Sequence, residues 1–465
     1  MTKRVGMIVD SLAVSKQIFD LVRLSQTSDN YKITTLVINQ VELNNKTLLT
    51  NIFSYLKRRG LKKLLSNAVF KAICKAESLV VQRNSKFGDF YRRFNLDEAQ
   101  FKSIIVNPVT SKNGLIYRYS EDDIESIRKL NLDLLIRAGS GILKGDILNV
   151  CPNGILSFHH ADNEVNRGGP PGFWEVYERN PRTGFVIQRL KDELDGGDVL
   201  FKGYISTSWL YSLNLVRLYE ISNPFFHRVI DNITSGKHKL TVQEKTPYSH
   251  RLYTSPNPIQ IVHYVLKTLL LLSVKIFIKL QGKAYRWGVA YQFSTSWSDV
   301  TLWRSKKISN PKNRFLADPF VVKRENSHFC FVEDYDYRIR KGSISAYKIS
   351  PQGYESLGTV LEEDFHLSYP FMFKYKNHLY MCPETHEQKE IRIYKCLEFP
   401  CKWEFHKTLM GNVSAVDTNI FEHNGKWWLF TNMDKSVVED HNSQLHIFYS
   451  DNPLTDKWLP HEANP

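Results

Sequence analysis

Residues 153–200 (NGILSFHHADNEVNRGGPPGFWEVYERNPRTGFVIQRLKDELDGGDVL) hold the residue types most able to do chemistry. His159 and His160 end an apolar run that reads as a buried strand. A Gly/Pro-rich loop follows, and Leu194-Asp195-Gly196-Gly197 closes the segment. An imidazole at a strand end and a carboxylate in a Gly-rich turn make an acid/base pair when a fold brings them together. The carboxylate favours the charged ring, which then becomes a proton donor near neutral pH. For an isolated histidine, the plainer reading is a hydrogen-bonded structural residue. Arg167-Gly168, Thr183-Gly184 and the Asp195 turn follow in order, and spacing alone does not decide between that reading and a functional one.

That order resembles the catalytic core of the formyltetrahydrofolate-dependent formyltransferases. Their pattern is Asn-x-His, a loop ending in Arg-Gly, then Thr-Gly, then Leu-Asp-x-Gly. His159 matches the histidine and Asp195 the acid, 36 positions later, while Ser157 stands where the family has Asn. The resemblance implies 10-formyltetrahydrofolate as formyl donor and an amine as acceptor. It also implies His159 as donor to the oxyanion of a tetrahedral intermediate, with Asp195 holding the ring cationic or relaying the amine proton through water. Ser157 becomes a shorter second donor, a position usually worth about 100- to 1,000-fold in rate, and His160 is the neighbour able to compensate. The pterin is expected between Ala138–Leu143 and Leu190–Leu194. That makes Ile142, Leu143, Leu190, Asp192 and Leu194 candidate donor-binding positions, mainly through their backbone.

Several elements must position these groups. Residues 3–9 and 32–40 read as strands with a helix over Leu12–Leu24 between them; Leu132–Ile136, Gly154–Phe158, Gly184–Gln188 and Val199–Gly203 read as further strands. Strands alternating with helices predict a doubly wound, Rossmann-like α/β sheet, whose ligand sits outside the carboxyl ends of its strands. Residues 54–93, within an insertion over 50–95, are strongly basic and read as an amphipathic helix pair packed on the core. A surface for acidic lipid or a phosphorylated substrate is the sharper alternative. Residues 259–280 (IQIVHYVLKTLLLLSVKIFIKL) form the most apolar stretch. Lys267, Lys275 and Lys279 interrupt it, so the readings in order are a helix buried between domains, an interfacial membrane helix, and a span.

The C-terminal third repeats itself. Residues 316–334, 367–385 and 415–433 align, each an apolar strand, a polar turn and an aromatic-rich strand. Asp318, Tyr369 and Asp417 are equivalent, 51 and 48 residues apart; Glu333, Glu384 and Asn432 follow fifteen positions beyond each. A period near 50 with two strong strands per unit predicts all-β propeller blades. Three blades are fewer than such repeats usually need, so the propeller is small, completed by oligomerisation, or incomplete. Ala317-Asp318-Pro319-Phe320, Leu367-Ser368-Tyr369-Pro370-Phe371 and Pro383-Glu384 make residues 284–465 resemble the five-bladed propellers of glycoside hydrolases. They resemble more closely the N-terminal domain of plant glucosamine inositolphosphorylceramide transferases. In the hydrolases, acids near the axis catalyse; here Asp318, Glu333, Glu384 and Asp417 are candidate sugar-site residues. Tyr369 in place of an acid favours binding over hydrolysis.

Composition sets outer bounds. The net charge of +14 points to an anionic partner such as a phosphorylated sugar, folate or membrane surface. Six scattered cysteines without CxxC pairs exclude a dense disulfide scaffold and a zinc framework, so no metal is expected. The N-terminus lacks a signal-peptide apolar core, so the expected location is cytoplasmic, with a peripheral membrane contact through 259–280 as the alternative.

The division read from the sequence is 1–205 formyltransferase-like, 206–283 helical extension with the linker helix 259–280, and 284–465 propeller-type repeats. The preferred function is N-formyl transfer to an amino sugar, nucleotide sugar or glycan precursor. No nucleic acid is expected as partner, and a homo-oligomer is admitted. The alternative is a catalytically inactive formyltransferase fold that, with the repeats, forms a carbohydrate-binding or glycosyltransferase-associated module.

Overall fold

The computed structural model describes residues 2–41, 48–111, 114–193, 196–236, 248, 251–281, 286–434, 438, 441 and 444–464, without the side chains of 48–60 and 297. Two compact units emerge, residues 1–274 with 436–438, and residues 275–435 with 439–465.

In the first unit, seven strands make one sheet: β1 (Lys3–Val9), β2 (Tyr31–Asn39), β3 (Lys102–Val106), β4 (Leu134–Arg137), β5 (Ile155–His159), β6 (Arg182–Arg189) and β7 (Asp198–Ser206). Their spatial order is β7-β6-β5-β4-β1-β2-β3. β3, β2, β1, β4 and β5 run parallel, and β6 and β7 add an antiparallel edge. Successive residues of the parallel strands enter two different cores. Val5, Met7 and Val9 pack with Leu21, Leu218 and Phe226, whereas Ile8, Val37 and Leu135 pack with Ile124 and Ile127. A sheet buried on both faces explains why these strands read as continuous apolar runs rather than as alternating ones.

Six helices accompany it: α1 (Lys16–Thr27), α2 (Leu48–Gln82), α3 (Glu121–Arg128), α4 (Phe173–Glu178), α5 (Tyr211–Thr234) and α6 (Pro258–Leu280). α1 begins later than its apolar spacing suggests, because Ala13–Ser15 pairs as a short strand with Arg93–Asn95. α2 corrects the helix pair expected over 54–93: it is one helix of 35 residues, continuous through Gly60. α6 corrects the buried-linker reading of 259–280, since only Ile261 and Tyr264 are buried along its length.

The second unit holds three four-stranded antiparallel sheets. They are β8 (Arg314–Arg324) to β11 (Tyr354–Leu361), with β9 (Ser327–Asp336) and β10 (Lys341–Ile349) between; β12 (Ser368–Tyr375), β13 (His378–Glu384), β14 (Glu390–Glu398) and β15 (Lys402–Gly411); and β16 (Ala415–His423), β17 (Lys426–Met433), β18 (Leu445–Ser450) and β19 (Leu459–Pro460). The repeated segments supply the first two strands of each sheet. In every sheet the first strand bulges at the same place: Ala317/Phe320, Ser368/Phe371 and Val416/Asn419.

Candidate active site

The parallel order reverses between β4 and β1, and a crevice opens beyond the carboxyl ends of strands at such a switch point. A cavity of about 680 Å³ lies there. Asp10 and Ser11 after β1, Arg137–Ser140 at the end of β4, and Ser157, Phe158 and His160 from β5 line it, with Gln17 of α1 and Tyr219 of α5. Asp10 accepts the amide of Ser140 at 2.6 Å and the Asn39 side chain at 3.3 Å, and Tyr119 donates to Asn39 at 2.8 Å. This network fixes the loops that follow β1, β2 and β4.

Arg137 ends β4 with its guanidinium turned along the cavity wall. Its Nε donates to Gly141 O at 2.8 Å, and Nη1 reaches Ser157 Oγ at 3.4 Å. A delocalised cation therefore stands beside the Ser157 hydroxyl. The only sequence signal for it was an arginine closing the apolar run LDLLI ahead of a glycine turn.

His159 and His160 divide. His159 is buried at the end of β5 and is not among the residues lining the cavity; its Nε2 donates to the carbonyl of Asn166 at 3.1 Å. That carbonyl can only accept, so the proton sits on Nε2. Asn166 also donates to Glu175 at 3.2 Å, whose carboxyl is pushed up by burial. His160 does line the cavity, stacked on Tyr219 at 3.9 Å and on Phe158 at 4.8 Å. Burial, helped by neighbouring His159, pushes its pKa down to about 3, so it stays neutral. Its Nε2 lies 3.3 Å from the Gln17 amide. Neutral His160 is an aromatic wall with one N–H donor and one acceptor nitrogen.

Asp195 and Leu194 lie outside the described residues. Just before them, Glu193 Oε1 meets Arg167 Nη1 at 3.3 Å, which ties the loop after His159 to the described end of 190–193. Arg167 itself stacks on Tyr248 at 4.5 Å. Gly168 is required here, with φ of +105° and the Tyr253 carbonyl oxygen pressed against the place where a Cβ would stand. The backbone pairing of Arg167–Gly169 with Tyr253 leaves no room for a side chain. Gly184 has the same purpose, since a Cβ there would lie 2.8 Å from the Asp162 amide. The glycines of the motif are packing devices that hold the loop on the sheet.

Two residues past the 138–143 segment, the chain bonds to the 190–194 segment. Asp192 Oδ1 accepts the Gly145 amide at 3.2 Å, and Leu190 packs on the core that contains Leu143. Ile142 is half-buried, and Leu143 is only 3% exposed, its side chain part of that core, which leaves its backbone as the group able to meet a ligand. Among the described residues no His, Cys, Asp and Glu cluster is arranged to hold a metal ion.

The second unit gathers its four acids. Asp318, Tyr369 and Asp417 sit at the three bulges with φ of 48°, 45° and 54°, a left-handed conformation that costs a non-glycine residue energy. Glu333 and Glu384 occupy the facing strands, opposite Ala317 and Ser368. Burial, with Asp318 and Glu384 nearby, pushes the Glu333 carboxyl up to about 8. Protonated Glu333 donates to Asp318, whose own pKa is raised chiefly by burial. Burial and the charges of Glu384 and Asp318 raise Asp417 as well. His366 completes the set: its Nδ1 accepts the Gly342 amide at 2.9 Å, leaving Nε2 3.6 Å from Glu333. His386 Nδ1 lies 2.7 Å from Glu384 Oε1. Neither histidine follows from the repeat alignment, because both come from the loops next to the aligned strands.

Comparison with known proteins separates the chain in the same sense. Residues 283–465 match the family model described as glucosamine inositolphosphorylceramide transferase 1, N-terminal. Glucosamine inositolphosphorylceramide transferase 1 of Oryza sativa subsp. japonica is 38% identical over 157 residues, which are 33% of this chain and 21% of that protein. The chain thus spans about a fifth of the length of the plant relatives it matches. A methionyl-tRNA formyltransferase of Ruminiclostridium cellulolyticum is 35% identical over 86 residues, 18% of this chain and 28% of that protein. Among solved structures, phosphoribosylglycinamide formyltransferase from Anaplasma phagocytophilum aligns with 53% of this chain and 98% of its own at 12% identity and a TM-score of 0.34. The C-terminal region matches the glucosamine inositolphosphorylceramide transferase N-terminal family model, and the N-terminal region resembles the formyltransferases.

Proposed function

We propose that the first unit transfers a formyl group from 10-formyltetrahydrofolate to the amine of an amino sugar, free, nucleotide-linked or on a glycan precursor. The observation that carries this is the switch-point cavity in which Arg137 and Ser157 stand together, with Asp192 bonded to Gly145 just past the 138–143 segment. The backbone of 138–143 and 190–194 would hold the flat heterocycle through its amides and carbonyls. When bound, the formyltetrahydrofolate supplies the formyl carbon.

The chain's own groups then do three things. Arg137 and Ser157 present donors where negative charge develops on oxygen, in a site walled from water by Phe158, His160 and Tyr219. His159 holds its Nε2 proton against Asn166, ready to exchange that carbonyl for a more basic oxygen. Asp195 is the acceptor for the proton that the attacking amine must lose.

In the same reading, the three sheets of the second unit are blades of a propeller-type domain. Asp318, Glu333, Glu384 and Asp417 form its carbohydrate site, where a protonated carboxyl and ionised neighbours offer both donor and acceptor to sugar hydroxyls. Binding rather than hydrolysis fits Tyr369, whose hydroxyl donates to Asn419 at 3.2 Å. The division into 1–205, 206–283 and 284–465 and a cytoplasmic location belong to this proposal.

The second reading, an inactive α/β unit serving the carbohydrate domain, draws on one observation. The Nε2 of His159 is already engaged by Asn166.

The deciding experiment incubates the full chain with 10-formyltetrahydrofolate and a panel of amino sugars, following formylated product by mass spectrometry. Product that falls about 100-fold or more in Arg137→Met supports the first reading. Absence of product with retained glycan binding supports the second.

A further inference from the structure

The first half of α6 is held by side-chain hydrogen bonds. Tyr264 donates to Glu77 and accepts the Tyr211 amide at 3.0 Å, Tyr177 and His263 meet at 3.0 Å, and Arg179 donates to Thr268 at 3.2 Å. Past Thr268 the helix runs twelve more residues with no residue buried. Leu269, Leu270, Leu272, Ile276, Phe277 and Leu280 are 38–80% exposed, and at 3.6 residues per turn they fall on one arc of roughly 160°, with Lys267, Lys275 and Lys279 on the rest of the circumference. An apolar face of that width is stable only when something apolar covers it.

Charge says what that something is. α6 contains Lys267, Lys275 and Lys279 and no acid. α2 packs on its first turns through Phe70 and Ile73 and shows Leu61, Leu65 and Val69 to solvent. From residue 61 onward α2 adds Lys62, Lys63, Lys71 and Lys75, and its one acid, Glu77, is buried. Seven lysines interleaved with exposed Leu, Ile and Phe, and no exposed carboxylate, suit an anionic, fluid apolar surface. The lysine spacing leaves no uncharged run near the roughly 20 residues that a span requires. We propose that α6, flanked by α2, docks in the plane of an anionic lipid bilayer, with Leu270, Phe277 and Leu280 among the acyl chains and the lysines at the headgroups. The site chemistry proposed above plays no part in this inference.

The test is sedimentation of the full chain with vesicles of phosphatidylcholine alone or with about one-third phosphatidylglycerol. Expected is association with the anionic vesicles roughly tenfold or more above the neutral ones, weakened by salt. Leu270→Glu with Phe277→Glu should remove it, and Lys275→Glu with Lys279→Glu should lower the anionic preference alone. Both pairs change exposed residues, and circular-dichroism melts check that the variants fold. A Phe277→Trp variant supplies a second readout, a blue-shifted emission on the anionic vesicles only. Folded wild type that ignores both vesicle types overturns the proposal, as does binding that survives Leu270→Glu with Phe277→Glu. So does a wild-type dimer, seen by light scattering, that this pair dissociates while no vesicles bind; the face would then be covered by a second copy.

Discussion

The two units collect polar groups by opposite means. In the first, Asp10, Arg137, and the pair Ser157 and His160 come from the ends of three different strands and meet because the strand order reverses once. Each has a different job and none can stand in for another. In the second, Asp318, Tyr369 and Asp417 reach equivalent places because the same bulge recurs in each sheet, and the chemistry at one position can change while the scaffold stays constant. A site made by topology is marked in sequence by a unique order of motifs. A site made by repetition is marked by a period.

The largest expected effects test whether the two sites are independent. His159→Ala should cut formyl transfer by about 100-fold or more and leave glycan binding unchanged, and Asp318→Ala should do the reverse. Paired rate and glycan-array measurements check both; a variant that damages both activities breaks the comparison.

Gly168→Ala sharpens the first half of it. A Cβ pressed into the Tyr253 carbonyl at a φ of +105° should destabilise the first unit by more than about 1 kcal/mol. Its thermal transition should fall by several degrees while that of the second unit stays in place.

Glu333 sharpens the second half through pH. Its carboxyl keeps a proton in the folded state up to about pH 8, whereas in the unfolded chain it loses that proton near the ordinary value of 4.5. The unfolded state therefore binds fewer protons in between, and Glu333 makes the second unit less stable as pH rises across that window. Glu333→Gln should flatten this slope in denaturation curves taken from pH 4.5 to 8; an unchanged slope removes the shared proton.

The smallest effect expected is that of His160→Phe. The stack on Tyr219 survives, so the stability loss should stay below roughly 1.5 kcal/mol, with no new ionisation in the pH–rate profile. A changed profile makes His160 an acid or base after all.

Much of the first sheet was legible because strands buried on both faces are written as unbroken runs such as VGMIV and LDLLI. The repeats were legible because their strands alternate and their bulges fall at a fixed distance from an aromatic strand. What stayed hidden depends on contacts distant in the chain. Nothing near Arg137 says that it will stand beside Ser157, and nothing near His366 announces Glu333. α1 began late because a distant strand at Arg93–Asn95 captured Ala13–Ser15, and pairing of that kind leaves no local mark. The exposure of α6 was also beyond reach, since an apolar sequence records that a helix wants cover and not whether the fold provides it.

The proton held between Glu333 and Asp318 has a thermodynamic consequence for whatever docks there. A ligand bearing an ammonium group would favour both carboxylates ionised and expel that proton to solvent. The observed heat of binding would then vary linearly with the ionisation enthalpy of the buffer, and a neutral sugar of the same shape would give one heat in every buffer. Calorimetry in two buffers thus sorts amino sugars from their neutral counterparts by the proton that each one releases.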